Sequence, residues 1–364
     1  MPVLPRLKAV PVHGHGGTLV LSRRSLERIH LDDPSGAVLA LLRILSRGDH
    51  TLKELPFALA TVGHSASVED VSRVVHQLDD WGVLERADSD GQLDARTIDR
   101  HASNLRYYDL FSDLSRSSVD MHRAATRSTV LLLGAGGLGS GILQSLVGLG
   151  VGKIILVDGD VVEPKNLARQ FVYNSSDIGR PKVQAAADWV SGYSPDTTVR
   201  PVQERVADAA RIGQLAGGAD LVVCAIDSPD NVHLLVNEAC CRLGIPFVAG
   251  GLARSTLSYW SVDPGRSACR ECLELHRRAE SLGPALEADP ILGGESVNRA
   301  TGPIAQLAAG FMTMEAMRYL TGSEAPVAAA EYHVLELADG MTTSRARWTA
   351  HPDCSSCRIA ERRR

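Results

Sequence analysis

Gly134-Ala135-Gly136-Gly137-Leu138-Gly139 carries the G-x-G-x-x-G spacing. Where no side chain intervenes, backbone N–H groups can approach phosphate oxygens closely, and the N-terminus of a following helix favours negative charge. Asp158 closes the next apolar run, within reach of a ribose hydroxyl. Those two features serve a dinucleotide as well as a nucleoside triphosphate. Asn166, Arg169 and Gln170 come next, then Lys182, then Asp227 after a later apolar run. Two cations, an amide and a carboxylate around one glycine loop suit a triphosphate, because charge on a departing pyrophosphate must be neutralised and a divalent cation held. A nicotinamide site needs neither. Taken singly, Arg169 and Lys182 would be ordinary solvated surface charges; their ordered combination points to a site.

A second chemistry resides in Cys269-Arg270-Glu271-Cys272 and Cys354-Ser355-Ser356-Cys357. Each pair forms a knuckle able to offer two thiolates to one Zn²⁺, and their wide separation predicts a structural staple between a loop and the C-terminal region. A redox C-x-x-C is the rival reading, but neither pair reads as opening a helix after a strand in the thioredoxin manner. Cys224, Cys240 and Cys241 lie in apolar patterns and read as small buried hydrophobes, and His276 as a bystander.

These groups need a scaffold. Val130–Leu133, Lys153–Val157, Asp220–Ala225 and Pro246–Ala249 read as buried strands alternating with helices, which predicts an α/β fold with a Rossmann-like, doubly wound, mostly parallel sheet. Ser128 to Gly152 is uncharged, yet its glycine density suits strand, loop and helix rather than a membrane span. Residues 1–97 read as a small winged-helix-like α+β domain. Thr18–Leu21 is strand-like; Val38, Leu41, Leu42 and Leu45 make one helical stripe, and Val71, Val74, Val75 and Leu78 another. Thr51 with Glu54 and Ser67 with Asp70 have capping-box spacing, Pro56 weakens the middle helix, Gly82 ends the third, and Val83–Arg86 reads as a return strand. The polar run Asp88–Gln92 marks the boundary, with 98–364 forming the second domain.

Composition narrows the classes. The 364 residues carry a net charge of −5 and 44% apolar side chains, which excludes a disordered, fibrous or polybasic chain and provides no electrostatic footprint for nucleic acid or an anionic membrane. The short basic tail Arg362–Arg364 does not change that. Prolines and charge interrupt Met1–Lys8, so no secretory signal is expected. Seven cysteines, an odd number, argue against a secreted disulfide framework and for the reducing cytoplasm.

Over roughly Ile98 to Cys357 the ordered motifs resemble the ThiF/MoeB/HesA family, bacterial relatives of ubiquitin-activating enzymes that adenylate a carboxylate at a peptide C-terminus. The resemblance implies that Gly134, Gly136, Gly137 and Gly139 line ATP, that Asp158 meets the ribose, and that Asn166, Arg169, Gln170 and Lys182 meet the phosphates. It further implies that Asp227 ligates Mg²⁺ and that Cys269, Cys272, Cys354 and Cys357 bind Zn²⁺. Arg169, Lys182 and Asp227 would be the catalytic groups. The family commonly donates an Arg of an R-x-x-R-Q segment across a homodimer; here Ser103 and Asn104 interrupt the matching stretch, leaving Arg100 or Arg106 for that place.

Family members often carry a catalytic cysteine after the first zinc pair, whereas Leu273 to Asp353 contains none. Together with Ala300-Thr301-Gly302-Pro303 before a helix from Ile304 to Leu320, this resembles the cysteine-free microcin C-type peptide-adenylating branch. By that likeness, residues 1–97 form a RiPP recognition element binding the leader of a precursor peptide. A DNA-binding winged helix is the alternative. It is disfavoured by a net charge of −2 in residues 1–97 and by Glu69, Asp70, Asp79 and Asp80 against Arg73 on the third helix. A non-catalytic leader-binding partner of a cyclodehydratase, a sulfur-carrier adenylyltransferase and, last, a dehydrogenase remain as other readings.

Overall fold

The computed structural model describes residues 2–24, 27–253, 255–279 and 300–361. The basic tail and residues 280–299 of the cysteine-free segment lie outside the described residues. The chain divides into two compact units, Met1–Arg123 and Ala124–Arg364.

In the first unit, β1 (Pro5–Leu7) pairs antiparallel with β5 (Leu84–Arg86), and β2 (Val12–His15), β3 (Thr18–Arg24) and β4 (Glu27–Asp32) form a three-stranded antiparallel sheet. Gly16 and Gly17, both at positive φ, close the β2–β3 hairpin as a two-residue turn. Helices α1 (Ala37–Leu45), α2 (Leu55–Thr61) and α3 (Val68–Asp80) bury the expected stripes: Leu41, Leu45, Leu59, Val71, Val75 and Leu78 share one core with Leu21 and Leu84. Ser67 caps α3, accepting the Asp70 amide. Pro56 starts α2 instead of weakening it, because the first helical N–H groups have no partner to lose. Asp88–Gln92 does not behave as a free linker. The Asp88 carboxylate holds the Leu4 amide at 3.2 Å and the Arg86 guanidinium at 2.6 Å, so the polarity of this run goes at least in part to local bonds. Helices α4 (Ala95–Arg100), α5 (Ala102–Asp109) and α6 (Ser118–Arg127) follow.

The second unit is built on β6 (Thr129–Leu133), α7 (Gly137–Leu149), β7 (Lys153–Val157), α8 (Lys182–Tyr193), β8 (Thr198–Val202), α9 (Ala209–Ala216), β9 (Leu221–Cys224), α10 (Val232–Leu243) and β10 (Phe247–Ala253). It continues through β11 (Thr256–Val262), α11 (Arg270–Ala279), α12 (Gly302–Thr321), β12 (Glu331–Glu336), β13 (Thr342–Arg347) and α13 (Ser355–Glu361). The sheet order is β13-β12-β11-β10-β9-β6-β7-β8. β8, β7, β6, β9 and β10 are parallel, and β10 through β13 continue antiparallel. The sheet is thus mixed, and its last strand, β13, left no apolar signal because it is exposed throughout. Strand β6 explains its own burial: Val130 and Leu132 join a core with α7, α8 and α12, while Leu131 and Leu133 join one with α9 and α10. Both faces are covered, so the strand is apolar without alternation. Strand order reverses between β6 and β9, the switch point where such sheets bind ligands beyond their C-terminal ends.

Candidate functional site

A cavity of about 410 Å³ opens at that switch point. Gly134, Gly136, Gly137, Asp158, Asn166, Arg169, Gln170, Lys182 and Asp227 all line it. Gly139 lies outside the lining. A Cβ there would sit 1.9 Å from the Gly134 carbonyl oxygen, so this glycine lets α7 pack against the loop that precedes it. Gly134 adopts φ +105, and a Cβ on it would meet the Ala225 carbonyl at 2.7 Å. The Arg169 side chain lies over Gly137, where a Cβ would stand 3.5 Å from its Cδ. A cation is thereby held against the glycine loop.

The carboxylates divide their work. Asp158 Oδ2 accepts the Ala135 amide at 2.7 Å, and its Oδ1 accepts the Asp160 amide at 2.8 Å, tying the glycine loop to the end of β7. Asp160, which the motifs did not single out, pairs with Lys182 Nζ at 3.0 Å and with Arg205 at 2.8 Å. Its signal was available: it stands two residues beyond Asp158, just past the end of β7, where the Asp158 side chain accepts its amide. Burial opposes ionisation of Asp160, but the bonds from Arg205 and Lys182 outweigh it and hold the carboxyl below its ordinary range. The Tyr173 hydroxyl donates to the Ala135 carbonyl at 2.8 Å, and burial pushes its proton loss well up. Asn166 is buried and spends its Oδ1 on the Glu163 amide.

Two lining groups keep unused polar atoms. Gln170 is buried, and its Oε1 has no partner. His233, in the first turn of α10, has Nε2 buried without a partner while its ring packs edge-on against Trp260. Burial first, then the Arg270 charge, press its pKa down to about 4, so the imidazole is neutral near pH 7. Sequence patterns missed His233, which carries no motif of its own. Asp227 is exposed at the end of β9, and the far wall is Gly250, Gly251, Ala300 and Ala305. A smaller cavity of about 300 Å³ adjoins at Asp158, Asp160, Ile226 and Asp227, and continues to Arg205 and Val206. A polyanion fits such a cradle: glycine backbone and two cations converge, with the Asp227 carboxylate beside them to hold a divalent ion.

The four knuckle sulfurs gather as expected. Sγ atoms of Cys269, Cys272, Cys354 and Cys357 lie within 4.8 Å of one another, with Cys269–Cys354 and Cys272–Cys357 each at 3.4 Å. Four thiolates around one Zn²⁺ stand about 3.8 Å apart, so the set fits that ion. Both pairs open helices, α11 and α13, but across a loop from the preceding strands, β11 ending at Val262 and β13 at Arg347, and not directly from a strand in the thioredoxin manner. Convergence of all four sulfurs, rather than helix position, is what distinguishes the cluster from a redox pair. Glu271 spans it, accepting the Ser356 amide at 2.9 Å and the Ser355 hydroxyl at 3.1 Å. Cys224, Cys240 and Cys241 are buried, and the His276 ring instead meets the Thr349 carbonyl.

Fold and site together define a Rossmann-type α/β domain with a cavity at its switch point and a cluster of four cysteines. The ThiF family profile matches residues 110–356, and the chain belongs to that family. It is 35% identical over 181 residues to the SAMP-activating enzyme E1 of Haloferax volcanii, covering 50% of this chain and 63% of that protein. It is 31% identical over 231 residues to the sulfur carrier protein ThiS adenylyltransferase of Bacillus subtilis, covering 62% and 64%. These alignments span less than two thirds of either relative. Among solved structures, the E. coli MccB crystal structure with ATP is similar at a TM-score of 0.74 and 18% identity, covering 97% of this chain and 99% of that one. MccB, the microcin C7 biosynthetic enzyme, has also been crystallised with N-formylated MccA; that structure is similar at a TM-score of 0.73. At such identities the likeness is one of fold.

Proposed function

We propose that this chain is an ATP- and Mg²⁺-dependent adenylyltransferase acting on the C-terminus of a ribosomally made precursor peptide, without an enzyme thioester. The observation that carries the reading is the convergence of the glycine loop, Arg169 and Lys182 on one cavity at the switch point. Its relatives' names as adenylyltransferases, and the fold shared with MccB, support it.

Catalysis in this reading is positioning and charge neutralisation. The glycine amides and the α7 N-terminus hold the phosphates, and Arg169 and Lys182 face the charge that develops as pyrophosphate departs. A peptide carboxylate oxygen forms the new bond to the α-phosphorus while the bond to the bridging oxygen breaks, which leaves acyl-AMP and pyrophosphate. Asp227 would hold Mg²⁺, which supplies further neutralisation of pyrophosphate. The four cysteines would hold Zn²⁺ as a staple away from the chemistry. Because Leu273 to Asp353 lacks cysteine, no thiol of that segment can take the acyl group. The remaining assignments belong to the same proposal: residues 1–97 clamp the leader, and the chain works in the cytoplasm as a homodimer receiving Arg100 or Arg106 from its partner. Among the described residues no helix is long and apolar enough to cross a membrane.

Isotope exchange between pyrophosphate and ATP, dependent on the cognate precursor peptide, is the expected activity. An Asp227→Ala variant should lose it by about two orders of magnitude or more. Normal exchange in that variant would refute the assignment. A sulfur-carrier substrate is the second reading, favoured by the similarity to the ThiS adenylyltransferase; exchange stimulated by a Gly-Gly-tailed carrier protein would establish it.

A further inference from the structure

We propose that Asp160 is the positioning residue of the nucleotide cavity, a carboxylate that aims the Lys182 ammonium at the phosphates. The proposal rests on the adenylation reading of the same cavity and assigns a role that the motif residues leave unfilled.

Lys182 is the first residue of α8, and its side chain is only 7% exposed. A lysine stem has four rotatable carbons, so a buried ammonium without a fixed partner would both sample several directions and remain an uncompensated charge. Asp160 Oδ2, 3.0 Å from Nζ, answers both needs. An ammonium has three N–H donors; Asp160 takes one, which leaves the others for phosphate oxygens. Asp158 is not placed for this work, since each of its oxygens already accepts a backbone amide.

Asp160 is itself held from several sides. Its amide donates to Asp158 Oδ1 at 2.8 Å, and its carbonyl accepts the Lys182 amide at 3.0 Å. Arg205 occupies its other carboxylate oxygen at 2.8 Å. The end of β7, the start of α8 and the segment after β8 therefore meet at one side chain. A carboxylate so fixed transmits its position to the lysine. The opposite consequence is also physically possible, for an anion near phosphates repels them; the two effects on ATP affinity have opposite signs.

Calorimetric titration of the full chain with Mg·ATP, and separately with adenosine, separates them. Asp160→Ala should weaken ATP binding about tenfold or more and leave adenosine binding within about twofold, because only the phosphates meet Lys182. Lys182→Met should weaken ATP similarly, and the double variant should bind ATP no worse than Lys182→Met alone, since both changes act through one contact. Asp160→Asn, which keeps an acceptor oxygen, should recover part of the loss; should Asp160→Ala fail to fold, Asp160→Asn carries the same comparison. Unchanged or tighter ATP binding in the Asp160 variants would overturn the proposal. So would additive losses, or an equal loss for adenosine, which is what a purely structural role produces. If wild-type chain binds no ATP, the adenylation reading falls with it; if wild type binds ATP and the Asp160 variants match it, only the positioning role falls.

Discussion

A methyl group added at Gly139 would sit 1.9 Å from the Gly134 carbonyl oxygen, whereas one added at Gly136 would meet nothing within 4 Å. The same motif therefore contains a packing glycine and a cavity-facing one. Gly139→Ala should lower the thermal midpoint and abolish ATP binding together. Gly136→Ala should keep the midpoint but weaken ATP by roughly an order of magnitude, since the methyl stands where phosphate approaches. Circular-dichroism melting beside ATP titration reads both. His122 makes a different case. It is buried with Nδ1 unpartnered, its ring 4.5 Å from that of His101. Burial, then the charges of His101 and Arg123, press its pKa from the usual 6.5 to about 4. The unfolded chain thus binds the proton more readily between those values, so stability is full above pH 6.5 and is lost as pH falls toward 4. The loss amounts to about 2 kcal/mol by pH 5. Urea unfolding at pH 7 and pH 5 should show this, with a shallower pH dependence in His122→Gln. That Lys182, Arg169 and Asp227 belong together was legible in their order behind the glycine loop, and they line one cavity. His233 was not legible, because a neutral imidazole becomes informative only once its surroundings show that Nε2 is unspent.

At the scale of elements, α11 and α13 each begin beside a knuckle, and Glu271 in the first turn of α11 reaches the N-terminus of α13. Beside the metal site, this carboxylate, the Trp348 Nε1 donating to the Cys269 carbonyl at 2.9 Å and the His276 ring on the Thr349 carbonyl tie the two segments together. One zinc per chain is the expected elemental analysis, and a strong chelator should lower the unfolding midpoint of wild type while leaving a Cys354→Ser variant, already low, nearly unmoved. Equal midpoints with and without chelator in a zinc-loaded sample would count against a structural role. Periodicity revealed α1 and α3 because each buries one apolar stripe. It could not reveal β13, whose exposed residues are held by backbone pairing to β12, nor the ordering of Asp88–Gln92 by bonds to Leu4 and Arg86.

For the whole molecule, charge decides between partners of the first 97 residues. Those residues are net −2, and α3 carries Glu69, Asp70, Asp79 and Asp80 against Arg73, so a labelled DNA duplex titrated at physiological salt should show no change in anisotropy. Hydrogen exchange of the full chain with its precursor peptide should show protection within residues 1–97; protection confined to 124–361 would remove the clamp from the proposal. The linear chain by itself determined the parallel half of the sheet, the glycine loop and the two cysteine knuckles, because buried strands, phosphate approach and tetrahedral thiolate ligation each restrict residue type at short spacing. Only the tertiary structure decided that Asp160 pairs with Lys182, that Gly139 is a packing glycine, that His233 keeps an unspent Nε2, and where the antiparallel strands lie. Those outcomes depend on distances between segments far apart in the chain, which local composition does not encode.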